Sequence, residues 1–349
     1  MKQNTILANK NSLFDYSKDY SFNGIDLVKF LCAYLVCMIH IKPIVGFEGT
    51  LIGYFNYSAQ HGFSRIAVPF FFASSGFLLF RKIDLFSTNM EIIKKYCYKM
   101  IVFLGLWTVL LFLGDQAQLW YLGGSVIAVM LLTCFLRKGY SFLQIGCIAC
   151  AIYVIGLLFD SYSGFIKILS EKTGITFFYE FAEFLNDDVT RTLRLGLFSG
   201  VIFIFIGIIF VYKPIKMKMW ISFVGFVLSM LALLAESFAI KHFMKSLDHN
   251  VYICLIPAVF FLFYIATHIK LKNHVIYKVL REFGVLIFFT HLFVYKVLNL
   301  FSDWMNDSFN ISLTNYLFII TVLLTTALSV FIQRLSQKDK YRWLQHIYS

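Results

Sequence analysis

Three ionisable side chains stand in one apolar stretch, GIDLVKFLCAYLVCMIH, residues Gly24 to His40: Asp26, Lys29 and His40. A charge within an apolar run is costly and therefore calls for a partner or a task. On a helix turning about 100° per residue, Lys29 and His40 fall within about 20° of one face, and Asp26 joins them within about 40°. Ala33 and Val36 lie on the stripe between them, with Cys37 at its margin. A face that is polar at both ends and slim in the middle suits the wall of a cavity. A histidine titrates near neutrality and can act as general base on a hydroxyl, so His40 is the candidate catalytic group. Lys29 and Asp26 are candidates to hold a charged donor about 16 Å along the helix from it. The competing reading sends Asp26 and Lys29 snorkelling to one set of headgroups, with His40 near the other.

Other candidates are spread along the chain. Arg65 suits an oxyanion or a headgroup. Ser74 lies beside Ser75 and Gly76, small residues that also favour close helix packing. Arg194 and Glu236 sit at the ends of apolar runs. His291 lies inside one, where a buried structural histidine is the simpler reading. Cys147 and Cys150 are half a zinc site with no second pair, so no metal is expected. There is no glycine-rich phosphate loop and no nucleophile elbow.

These side chains need a membrane scaffold to position them. The 349 residues are 59% hydrophobic and 14% charged, with 41 Phe, whereas a soluble domain carries about 25% charged residues. The net charge of +12 is not gathered in one segment, which argues against nucleic acid. Apolar runs at 24–44, 66–80, 99–113, 119–136, 142–159, 196–212, 219–235, 251–269, 284–301 and 315–333 predict an all-α bundle of ten transmembrane helices. Most Lys and Arg fall in alternate connecting segments, which places both termini in the cytoplasm. The expected organisation is a tail at 1–23, a membrane domain at 24–333 and a second tail at 334–349. The acids Asp160, Glu171, Glu180, Glu183, Asp187 and Asp188 gather in one long connection on the outer side. No cleavable leader is apparent in the polar first twenty residues.

The opening stretch resembles the first helix of the acyltransferase 3 family of integral membrane acyltransferases, in which a basic residue precedes a histidine by eleven positions. RIAVPFFFASSGFLLFRK (Arg65 to Lys82), LWYL (Leu119 to Leu122), RLGLFSGVIFIFIGIIF from Arg194 and REFGVLIFFTH (Arg281 to His291) are similar to further family segments in the same order. Lys29, together with NVYICLIPAVFFLF, resembles the membrane half of the vancomycin-resistance serine racemases. The resemblance implies an O-acyltransferase of a bacterial plasma membrane. The donor would be cytoplasmic acyl-CoA, acetyl-CoA above all. The acceptor would be a hydroxyl of a cell-envelope polysaccharide or its lipid-linked precursor. His40 would be base or acyl relay, and Trp120 and Tyr121 would join the acceptor candidates. The alternative expectation is a transporter or ligand-uptake module for a small polar or lipid-linked substrate.

Overall fold

The computed structural model describes residues 22–43, 49–83, 90–111, 117–186, 194–213, 215–244 and 246–348. The expected N-terminal tail, Asp187 and Asp188 lie almost wholly outside them. Among the described residues there is no strand. Thirteen helices follow in chain order: α1 (Asn23–His40), α2 (Leu51–His61), α3 (Ala67–Phe80), α4 (Glu91–Leu110), α5 (Trp120–Arg137), α6 (Phe142–Leu158), α7 (Ser163–Thr173), α8 (Phe177–Asn186), α9 (Val201–Tyr212), α10 (Met219–Phe243), α11 (Leu255–His268), α12 (Ile276–Phe309) and α13 (Leu317–Ser336). A π-helical turn, Gly196–Gly200, leads into α9, and a 3₁₀ segment, Asp339–Ile347, follows α13.

Each of the ten apolar runs holds a helix, but the expectation of ten membrane spans is not met. Six helices among the described residues are long and apolar enough: α1, the continuous Leu51–Phe80, α5, α10, α12 and Thr314–Ser336. A seventh arises if α6 and α7, bent by 65°, count as one span. The reasons are charge and length. α4 carries Glu91, Lys94, Lys95 and Lys99. α11 has 14 residues, about 21 Å of helix against a hydrocarbon core of about 30 Å. The coarser expectation stands: the chain is a multi-pass, all-helical membrane bundle.

The centre of the bundle is the contact of α3 with α9. A Cβ added to Gly76 would sit 2.3 Å from the Ile204 carbonyl oxygen, and one on Gly207 would sit 2.1 Å from that of Ala73. The backbones therefore meet directly, the approach that small residues allow between helices in lipid. Phe70, Phe77 and Phe210 converge on Phe263 of α11 with ring centroids 5.1–5.7 Å apart. α1 packs between α3 and α12.

Hydrogen bonds define two ends. At the proximal end, the Asn23 amide donates to the Lys272 carbonyl, and the Tyr212 hydroxyl lies 2.8 Å from the carbonyls of Phe80 and Ile83. At the distal end, the Gln60 amide donates to the Ile39 carbonyl at 3.0 Å, and the Tyr153 hydroxyl to that of Tyr252 at 2.6 Å.

Gly207→Val has to push two backbones apart, since its Cβ would meet the Ala73 oxygen and, at 2.6 Å, the Phe77 nitrogen. We expect it to lower stability by at least the ~1–3 kcal/mol typical of overpacking. Gly105→Ala, which meets nothing within 4 Å, should be neutral or slightly stabilising. Thermal unfolding of both variants in detergent checks the contrast, and equal midpoints would refute the close packing.

Candidate functional site

A cavity of about 700 Å³ opens at the proximal end. One side comes from α1 and the first half of α12, which supply Lys29, Lys278, Arg281, Glu282 and Phe288. The other comes from α3, α4 and α5, which supply Phe71, Ser75, Tyr96, Lys99 and Tyr121. Among the described residues four cations therefore face a volume with one lining carboxylate, and Ser75, Tyr96 and Tyr121 add hydroxyls.

The charges are only partly matched. Arg281 Nη1 is 3.7 Å from Asp26 Oδ2, with the arginine about half exposed and the aspartate mostly buried. Glu282 accepts from the Gln333 amide at 2.7 Å. Lys99 Nζ lies 5.4 Å from the Phe103 ring centroid. The floor is aromatic: Phe71, Tyr121 and Phe288 stand edge to face with centroids 5.6–6.0 Å apart. Ser75 and Tyr121 share a hydroxyl hydrogen bond of 2.9 Å.

The C-terminal segment packs against the cavity. Tyr348 and Ser336 are joined hydroxyl to hydroxyl at 2.6 Å, and the Gln345 amide donates to the Ser336 carbonyl. The Trp107 indole donates to the Ile347 carbonyl at 3.2 Å. Gln345 and Tyr348 thus become part of the lining.

The candidates read from the sequence divide among distinct places. Lys29 lines the cavity and Asp26 stands at its edge through Arg281. Tyr121 belongs to the floor, whereas Trp120 packs on Phe72 with centroids 5.9 Å apart. Ser74 is fully buried and donates to the Phe70 carbonyl within its own helix. His40 is not among the lining residues; its ring lies 5.4 Å from that of His291. His291 Nδ1 sits 2.9 Å from the Phe288 carbonyl, so the two imidazoles lie behind the floor.

Arg194 and Glu236 fasten the distal end. Arg194 is buried and ion-paired with Asp160 and, at 2.9 Å, with Asp248. Asp160 also accepts from the backbone amides of Asn250 and Val251. Glu236 accepts from the Tyr162 hydroxyl and from the amides of Ile253 and Cys254 at 2.6–2.8 Å, ahead of α11. Burial favours the neutral form of Asp248, but Arg194 and Arg65 hold its carboxyl below the usual carboxylate range. Burial pushes the His249 imidazole below its ordinary value against the pull of Asp160 and Asp248.

Sequence reasoning overlooked Lys99, Lys278, Arg281, Glu282 and Tyr96 as cavity groups. Four of them sit on helix starts rich in charge, where loop-flanking topology signals look the same. Their convergence with Lys29 is a tertiary fact.

Three curated bacterial relatives match the chain. An amino-acid racemase of Enterococcus faecalis is 26% identical over 282 residues, covering 74% of this chain and 37% of the relative. A serine/alanine racemase of Enterococcus gallinarum is 25% identical, covering 93% of this chain and 47% of the relative. A second amino-acid racemase of E. faecalis is 26% identical, covering 85% and 44%. The chain thus spans less than half the length of the curated relatives it matches. No family model matches the chain, and no solved structure does.

These findings correct the acyltransferase expectation. Racemisation inverts one carbon and moves no acyl group, so it has no use for acyl-CoA or a polysaccharide acceptor, and the O-acylation role of His40 falls with them. The alternative of a transporter or ligand-uptake module is not supported by the relatives either. The likeness to racemase-associated membrane segments is the part of the resemblance that stands.

The distal cluster predicts a pH response. A histidine whose folded pKa is depressed stabilises the fold above its unfolded value of about 6.5, and that stability is lost as pH falls. The unfolding midpoint of the wild type should drop between pH 7.5 and 5.5, and His249→Gln should reduce the drop. Identical pH profiles in thermal scans would contradict the assignment.

Proposed function

We propose that the chain is the membrane-bound module of an amino-acid racemase and that its proximal cavity receives the amino acid. The observation supporting this most directly is the mixture of charges around one small space. An amino acid carries a carboxylate and an ammonium a few ångströms apart. Lys29 and Arg281 suit the first, with the guanidinium able to grip a carboxylate through two N–H groups. Glu282 and Asp26 suit the second. Ser75, Tyr96 and Tyr121 then face the ligand from the other wall.

Holding both charged groups fixes the orientation of the α-carbon, which racemisation requires because the proton must leave one face and return on the other. The names of the relatives, racemases of amino acids including serine and alanine, supply the substrate class. Under this reading Lys29 and Asp26 keep a binding role. Tyr121 forms the floor, and His40 and His291 position α1 against α12.

In the same reading residues 24–333 form the membrane domain, with 1–23 and 334–349 flanking it on the cytoplasmic side of a bacterial plasma membrane. The concentration of Lys and Arg on the proximal connections supports that orientation. The cavity then opens to the cytoplasm, where a racemase would find free amino acids.

Purified protein in nanodiscs should bind L-serine or L-alanine saturably in calorimetry. Lys29→Met and Arg281→Gln each remove a charged hydrogen-bonding group, worth about 1.5–3 kcal/mol, and should weaken binding tenfold or more. Chiral chromatography of the incubated amino acid reads any turnover. An absence of saturable binding in the wild type, or unchanged binding in both variants, would remove the proposal.

A further inference from the structure

At the distal end two cations, Arg65 and Lys241, make no direct ion pair among the described residues. Arg65, in the 3₁₀ turn before α3, donates through Nη1 to the Asn250 side-chain oxygen. Its Nη2 lies 3.2 Å from His61 Nδ1. Its Nε is buried and has no acceptor among the described residues. Both of its partners are neutral. Lys241, near the end of α10, places Nζ 4.0 Å from the centroid of the Tyr57 ring and makes no ion pair among the described residues. Tyr57 stacks on His61 at 4.8 Å, and His61 meets His249 edge-on at 5.6 Å.

The acids of this end are already engaged. Asp248 feels the charge of Arg65 through space. Its Oδ2 is held by Arg194 and the Asn250 amide, and its Oδ1 by the His249 backbone amide. Asp160 is enclosed by Arg194 and two backbone amides, and Glu236 by two more. A guanidinium and an ammonium are therefore gathered at one half-buried place with aromatic and imidazole rings as their main company. Arg65 shares the charge of Asp248 with Arg194 and does not touch it; a partly desolvated cation so placed is costly, and the natural complement is an anion.

We infer that Arg65 and Lys241, with Tyr57, His61 and His249 around them, form a second ligand site at the distal end for a single oxyanion group, carboxylate or phosphate. Arg65 offers planar N–H donors from within the bundle. Lys241, which is exposed on the distal surface, offers a mobile charge at the entrance. Tyr57 keeps that ammonium over its face while the site is empty. The site is at the opposite end of the bundle from the proximal cavity and does not depend on the amino-acid reading of that cavity. The oxyanion can be a dissolved solute or the headgroup of an anionic lipid.

The test uses the full chain in nanodiscs of phosphatidylcholine. Sodium phosphate and sodium acetate are titrated at ionic strength held constant with sodium chloride, and the unfolding midpoint and calorimetric heat are recorded. A third arm replaces part of the lipid with phosphatidylglycerol. Expected is saturable stabilisation by at least one of the three probes, weakened tenfold or more in Arg65→Gln and in Lys241→Gln. Lys29→Met, which disables the proximal cavity, should leave it unchanged. Response to the salts assigns a dissolved ligand, and response to phosphatidylglycerol alone assigns a headgroup. Lys241→Gln alters an exposed side chain, so its reading stands even if Arg65→Gln fails to fold. Stabilisation by none of the probes, or equal stabilisation in Lys241→Gln and wild type, would overturn the site.

Discussion

A charge inside an apolar helix bundle must be paired, hydrated or absent, and most of this structure follows from that constraint. The middle is filled by Phe70, Phe77, Phe210 and Phe263 and by the backbone contact of α3 with α9. Among the described residues the buried charged side chains are Asp26, Asp160 and Arg194, the first at the proximal end and the other two at the distal end. Polar chemistry is therefore pushed to the two ends, and each end solves the problem differently. The distal end pairs Asp160 and Asp248 with the buried Arg194. The proximal end leaves its cations around an open volume.

The aromatic floor separates the two solutions. Phe71, Tyr121 and Phe288 close the bottom of the cavity, and His40 and His291 meet on its far side. α1 is thus divided by function along its length. Its first half puts Lys29 in the cavity wall and Asp26 beside Arg281 at the edge, and its last residue, half-buried His40, lies against the buried His291 ring. The helical stripe that groups these side chains on one face is real, but one face can border two environments when another helix crosses it.

The relatives are named as amino-acid racemases, not as group-transfer enzymes. An amino acid sits well with the charges in the cavity, since a zwitterion asks for cations and carboxylates together. It also gives the C-terminal segment a position of consequence. Held through Ser336 and Trp107, that segment brings Gln345 and Tyr348 into the cavity wall. The relatives are more than twice as long as the matched region.

The amino-acid pattern by itself determined the class of molecule: long apolar runs, few charges and alternating basic connections leave only a helical membrane bundle. It also marked Lys29 and Asp26 as out of place in lipid, and both stand at the cavity. It could not settle the number of spans, because α4, α9 and α11 are apolar enough to be read as crossings yet too charged or too short to make them. It could not rank Arg194 and Glu236 either. Both look like exposed helix flanks until Asp160, Asp248 and the start of α11 fold onto them from far along the chain. Whether a charged side chain binds a ligand, fastens a loop or meets solvent depends on which distant groups converge on it. That convergence exists only once the helices have packed.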